Sequence, residues 1–228
     1  MPEKAPSRGR FVTFEGGEGA GKSTQVELLR ARLSQRGIDV IATREPGGAP
    51  RAERIRNFLL AGKAKALGPA AEAILFSAAR NDHLETTIRP ALARGQWVLC
   101  DRFSDSTRAY QGALGDLDPV FLNRLEQVVV GPTRPDLTFI LDLPPEVGLA
   151  RAGARRQARS EATDRFEAED ISFHRALRTA FLTIAREEPA RCVVIDASRD
   201  ADTVAADIWA EVEARLLGTT TQESADGA

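Results

Sequence analysis

Two cysteines, two histidines, one methionine and one tyrosine are all that the 228 residues contain of those types. With so few thiols and imidazoles, and no His or Cys close to another in sequence, the chain offers no zinc-ligand spacing and no disulfide framework. Cys100 in WVLC and Cys192 in CVVID lie in apolar runs that read as buried strands, so each is expected as a small packed thiol. His83 and His174 are expected as surface or packing residues. An excess of one charge is also missing. Lys and Arg number 31 against 33 Asp and Glu, a formal charge of -2, so no overall field points to a nucleic acid or a membrane surface, and an anionic ligand must be held by local arrangement. No segment approaches the roughly 20 apolar residues of a membrane span, and the polar opening MPEKAPSRGR lacks the apolar stretch of a secretory signal. A cytoplasmic protein is the expectation.

What is present is a globular composition, 43% hydrophobic and 28% charged, at the upper end of single-domain length. Apolar β-rich runs recur as RFVTFE, IDVIAT, WVLC, LTFILD and CVVID, separated by longer stretches of helical periodicity. This alternation predicts an α/β fold with a five-stranded parallel sheet flanked by helices in three layers. Ligands of such folds bind beyond the carboxyl ends of the strands. The residues to inspect are therefore Gly16 onward, Arg44, Asp101, Asp142 and the segment after Asp196. One domain is expected over 10–217, between a disordered segment 1–9 and a disordered tail 218–228. Within it, residues 151–170 are charged and nearly free of large apolar side chains, and read as an exposed, mobile lid over the sheet end.

After the first strand comes Gly16-Gly17-Glu18-Gly19-Ala20-Gly21-Lys22-Ser23-Thr24, which satisfies G-x-x-x-x-G-K-[ST] in the required strand, loop and helix context. The glycines let backbone N–H groups converge on an anion, and the following helix adds its positive end. Lys22 is expected at the β- and γ-phosphates of a nucleotide and Ser23 on Mg²⁺. No N-K-x-D guanine-reading motif accompanies this P-loop. At the next strand end, Thr43-Arg44-Glu45-Pro46-Gly47-Gly48 forms a rigid loop with Arg44 at its entrance, suited to a phosphate-bearing substrate. The third strand delivers Asp101-Arg102-Phe103, an acid for a metal and its water beside a base for a phosphate. Either Asp101 or Asp142 can serve as the outer Mg²⁺ partner; Asp101 is favoured because it adjoins Arg102.

EGGEGAGKST, TREPGG, the DRF segment with its S-T-x-A-Y-Q continuation, and DRFE together resemble bacterial thymidylate kinase, in order from about Phe11 to about Ala197. The resemblance implies a P-loop kinase fold, usually a homodimer, that phosphorylates dTMP to dTDP with ATP and Mg²⁺ on the route to dTTP. By the same resemblance Glu18 approaches the acceptor 3′-hydroxyl and the metal region, and Arg56 and Arg102 hold the acceptor phosphate, where two guanidinium forks suit a dianion. Phe76 and Arg80, four apart on one helix face, match the thymine-binding positions. Thr107 and Gln111 match base-pocket residues, and Tyr110 matches a wall near the deoxyribose. Gly19 stands where some family members carry a P-loop arginine, so a lid arginine is required. Arg155 and Arg165 are the preferred pair among Arg151, Arg155, Arg156, Arg159 and Arg165. Ala197 and Ser198 after the last strand are expected against adenine. GKAKALGP is expected only to lengthen a loop.

Overall fold

The computed structural model describes residues 8–159 and 165–218, with the side chain of Arg159 outside that description. The expected tail beyond Gly218, most of the expected leader and the middle of the expected lid therefore lie outside the described residues. Five strands form one sheet in the order β2-β3-β1-β4-β5. They are β1 (Phe11–Gly16), β2 (Val40–Arg44), β3 (Trp97–Asp101), β4 (Leu137–Asp142) and β5 (Cys192–Asp196), and every pairing is parallel. The five apolar runs thus form the strands expected of them. Register brings their carboxyl ends into line, with Arg44 opposite Asp101, Gly16 opposite Leu141 and Asp142 opposite Asp196.

Period-two alternation sorts each strand between two faces. Val12 and Phe14 point to one side, where they meet Leu29 and Leu33 of α1 (Lys22–Gln35) and Ile208 and Trp209 of α9 (Ala201–Val212). Phe11 points to the other side, against Leu84, Ile88 and Phe103. That side is covered by α3 (Gly68–His83), which runs on through Leu84–Ile88 into α4 (Arg89–Ala93), and by α8 (Ile171–Glu187), whose Leu177, Phe181 and Ile184 pack on Ile140 and Cys192. Complete burial of each such side chain contributes about 1.5–3 kcal/mol. The remaining helices are α2 (Pro50–Leu60), α5 (Ser104–Thr107), α6 (Pro119–Val129) and α7 (Pro145–Arg159). Side-chain caps start several of them: Asp118 accepts from Val120 N at 2.8 Å, Asp170 from Phe173 N at 2.9 Å and Asp200 from Thr203 N at 2.9 Å.

Cys100 and Cys192 are both buried and unbridged, as expected of packed thiols. Gly9, expected within the leader, is buried and donates to the Leu92 carbonyl at 3.1 Å. The excursion expected from Arg151 is helical through Arg159 and largely exposed over 151–158, whereas Phe166 beyond it is 8% exposed. Several of its charges are partnered, Arg155 and Arg156 by the one carboxylate of Glu167 and Arg165 by Glu72, which lowers the penalty for packing them against the domain.

Candidate active site

β1 ends at the centre of the sheet and opens directly into the phosphate loop. Gly21 adopts φ +89° and begins α1 without a side-chain cap, leaving first-turn N–H groups free to face an anion. Lys22 lies over this loop, its Nζ donating to the carbonyls of Gly16 at 3.2 Å and Gly17 at 2.8 Å. Burial, with Arg102 nearby, holds the ammonium below the ordinary lysine pKa although Glu18 and Asp101 pull the other way. Ser23 Oγ donates to Asp101 Oδ2 at 2.5 Å. These are two hard oxygen donors, one in the first turn of α1 and one at the end of β3, a set that fits Mg²⁺. Asp142, the other strand-end acid, is bound in a fork by Arg178 at 2.6 and 2.8 Å.

Arg102 stands at φ +68°, a left-handed conformation that is costly for a side chain of its size. Its neighbours hold it there. Arg102 N donates to Phe14 O at 2.9 Å, and the buried Glu15 accepts from Phe103 N at 2.7 Å and from Ser106 Oγ at 2.6 Å. Burial, reinforced by Asp105, pushes the Glu15 carboxyl up to about 7, against the pull of Arg102 and the donated hydrogen bonds. The Arg102 side chain is thereby aimed across the loop, with Nη1 on Gly16 O at 3.0 Å and Nη2 on Glu18 Oε1 at 2.7 Å. Burial raises the Glu18 pKa, but Arg102, Lys22 and the Tyr110 hydroxyl at 3.3 Å outweigh it and the net shift is downward.

A cavity of about 520 Å³ opens from the phosphate loop toward α3. On its far side stand Phe76 and Arg80, with Thr107, Tyr110 and Gln111 from the segment after β3. Arg80 is fixed by Glu45, whose carboxylate takes Nε at 2.7 Å, while Nη2 donates to Phe103 O at 3.0 Å and Thr107 Oγ1 at 3.1 Å. The other Glu45 oxygen meets His83 Nδ1 at 3.1 Å, and His83 Nε2 meets Thr43 Oγ1 at 2.7 Å. His83 is fully buried, so packing is its role of the two expected for it. Arg56 donates to Pro46 O at 2.7 Å, and Arg44 pairs with Glu53 at 3.0 Å; both arginines reach the cavity wall.

The residues around the expected lid divide. Arg155 and Arg156 line the cavity, each paired with Glu167, at 3.8 and 2.8 Å respectively. Arg165 does not line it: both of its terminal nitrogens sit on the Glu72 carboxylate of α3, Nη2 at 2.9 Å. Arg165, expected at the migrating phosphoryl group, is placed here with its fork held by the Glu72 carboxylate of α3. Arg151 donates to the carbonyls of Ala197 at 3.1 Å and Ser198 at 3.4 Å, and the latter two stand apart from the main cavity. The GKAKALGP loop does more than lengthen a connection, since Lys65 reaches Glu169 at 3.4 Å. An arginine at position 19 would be strained and would force the main chain to shift: Gly19 has φ +66°, and a Cβ there would fall 2.0 Å from Gly148 O.

Most residues expected at the site therefore converge on one cavity, from Glu18, Lys22, Ser23 and Thr24 through Asp101 and Arg102 to the α3 pair. Gly16, Gly17 and Ala20 shape the loop from behind. Glu15, Glu45, Glu72, Phe166 and Glu167 went unremarked. Glu45 sits inside the quoted TREPGG and Glu15 at the end of the first apolar run, so position marked both, whereas nothing in the sequence near Glu72 pointed to its partner.

A phosphate loop at the central strand of a parallel sheet, with an arginine- and aromatic-lined cavity beyond it, defines a P-loop phosphotransferase for a small phosphate-bearing acceptor. The profile of the thymidylate kinase family matches residues 14–208. Thymidylate kinase of Rhodopseudomonas palustris is 61% identical over 211 residues, 92% of this chain and 91% of its own, and that of Nitrobacter hamburgensis 58% over 221 residues, 95% of each. The crystal structure of thymidylate kinase from Ehrlichia chaffeensis superposes with a TM-score of 0.72 at 33% identity, covering 90% of this chain and 99% of that one. The chain belongs to the thymidylate kinase family.

Proposed function

We propose that the protein transfers the γ-phosphate of ATP to dTMP, giving dTDP and ADP. The observation that carries this reading is the single cavity with Lys22 at one end, Phe76 and Arg80 at the other, and Arg102 and Glu18 between them. An oxygen of the acceptor phosphate attacks the γ-phosphorus, the bond to the β–γ bridging oxygen breaks, and ADP leaves with the electron pair. Such a transfer asks mainly for positioning and charge stabilisation. Lys22 and the loop N–H groups hold the donor phosphates. Arg102, with Arg56 and Arg44, holds the acceptor phosphate. Phe76 stacks on the base, Arg80 donates to a base carbonyl, and Thr107 and Gln111 complete the base pocket. Tyr110 crowds the position a ribose 2′-hydroxyl would take, and Glu18 faces the 3′-hydroxyl. Arg155, beside Arg156, supplies the cation for the migrating group. Ala197 and Ser198, braced by Arg151, wall the adenine.

When bound, Mg²⁺ neutralises charge on the β- and γ-phosphates; Ser23 and Asp101 would hold it, Asp142 being engaged by Arg178. A homodimer and a cytoplasmic setting belong to the same proposal. The exposed Ile74, Val120 and Val128 on α3 and α6 support an association face. Among the described residues no helix is long and apolar enough to cross a membrane.

The test is ADP release across a panel of monophosphates at equal concentration. dTMP is expected to be used best, dUMP less well by about 1–3 kcal/mol for the missing methyl, and ribose TMP poorly. Preference for CMP or AMP would overturn the acceptor assignment.

A further inference from the structure

The run Arg165-Phe166-Glu167 touches three parts of the site at once. Arg165 binds Glu72 with both terminal nitrogens, and the pair is largely withdrawn from water, with side chains 18% and 6% exposed. Glu72 lies one helical turn before Phe76 and two before Arg80, so the contact is made with the same helix that carries the base-facing pair. Phe166 packs edge-on against Tyr110, ring centroids 5.0 Å apart, and stands 6.4 Å from the Phe76 ring. Glu167, side chain 7% exposed, holds Arg156 Nε at 2.8 Å and Arg155 Nη2 at 3.8 Å. A second tie fastens the run from outside, where Lys65 meets Glu169 at 3.4 Å.

Arg155 and Arg156 belong to α7, and α3 lies across the cavity from the phosphate loop. Along this path the only charged contact joining α3 to the 165–167 run among the described ion pairs is Glu72 with Arg165. From this geometry we infer that Glu72 is a positioning residue for phosphoryl transfer: by holding Arg165 it sets Phe166 and Glu167, and so places the cavity-facing arginines relative to an acceptor bound on α3. The inference rests on the thymidylate kinase reading. It gives Arg165 the task of transmitting position and leaves charge neutralisation to Arg155 and Arg156. A carboxylate and a guanidinium joined by two parallel hydrogen bonds fix orientation as well as distance, which suits that task.

The experiment measures kcat, KM for dTMP and thermal melting for wild type, Glu72→Gln, Arg165→Gln, the double variant, and the charge-swapped pair Glu72→Arg with Arg165→Glu. Dependence of wild-type turnover on dTMP is established first, so a failure of the acceptor reading appears before any variant is compared. Each single variant is expected to lower kcat on the order of tenfold, within the reach of coupling through a packed network, with KM changed less than about threefold. The double variant is expected to lose no more than either single one, since both remove one interaction. Retained kcat in Glu72→Gln with a large loss in Arg165→Gln would show that Arg165 acts directly and overturn the inference. So would normal kcat in both, or losses that multiply. Should a single variant fail to fold at the assay temperature, the swapped pair decides. Recovery of the fold with kcat within about fivefold of wild type supports positioning, and recovery of the fold with kcat still lost by far more overturns it.

Discussion

Replacing Glu45 by Leu removes the carboxylate that fixes Arg80, the arginine we propose to read the base, and its cost can be worked from the contacts. Glu45 and Arg80 are 4% and 5% exposed at their side chains, joined at 2.7 Å. Removing one partner of a buried pair costs about 3–5 kcal/mol, because the remaining charge has lost both water and its counter-charge. Arg80 keeps Phe103 O and Thr107 Oγ1, which moves the expectation to the lower end. At about 2–4 °C per kcal/mol for a domain of this length, the melting temperature should fall by roughly 6–12 °C. The guanidinium also loses its aim at the base. A hydrogen bond to a charged group contributes about 1.5–3 kcal/mol, so KM for dTMP should rise roughly 10- to 150-fold while kcat changes little. Calorimetry and steady-state kinetics on the same preparation read both quantities. The double variant Glu45→Leu with Arg80→Leu should recover much of the stability, both charges now being absent, and none of the affinity. A Glu45→Leu protein with unchanged melting and KM would refute the claim that this carboxylate holds Arg80 in place.

Two further outcomes are expected. Glu15 has its pKa raised from 4.5 to about 7, so the folded state binds the proton more tightly, and the resulting stability, about 3 kcal/mol, is fully present below about pH 4.5 and lost as pH rises through about 7. Glu15→Gln should therefore gain stability relative to wild type between about pH 5 and pH 8 in urea titrations, and a pH-independent difference would count against the assignment. Arg155→Ala should lower kcat by about 10³-fold with a much smaller change in KM for dTMP, lysine rescuing only in part; near-normal kcat in single-turnover measurements would remove Arg155 from the step.

The sheet was legible because its signals are local. Each strand is a short apolar run bounded by polar residues, and the residue after each run lands at the carboxyl edge whatever the strand order. The phosphate loop was legible for the same reason, its glycines, lysine and hydroxyl being contiguous. The partners of the site's charges were not. Glu45 and Arg80 are 35 residues apart, and Glu72 and Arg165 are 93 apart, so nothing short of the folded chain could pair them. That is why Arg165, placed within a recognisable DRFE, was expected at the phosphoryl group and is found on α3. It is also why a segment read as an exposed excursion supplies a buried aromatic: its charge content was visible, and the Glu72 that anchors Arg165 beside Phe166 was distant.

The approach of Gly19 to Gly148 has a consequence for how this enzyme can vary. A side chain at Gly19 would strike the carbonyl of Gly148, and one at Gly148 would strike the carbonyl of Glu18 at 2.2 Å. The two main chains are therefore in mutual contact with no side chain between them, and α7 takes its origin from the phosphate loop. Arg155 and Arg156, about two turns further along that helix, are then placed relative to the phosphate loop itself. Each glycine faces a main-chain carbonyl, so each is restricted whatever residue stands at the other position. While this contact is held, an arginine at position 19 of the phosphate loop requires the start of α7 to move.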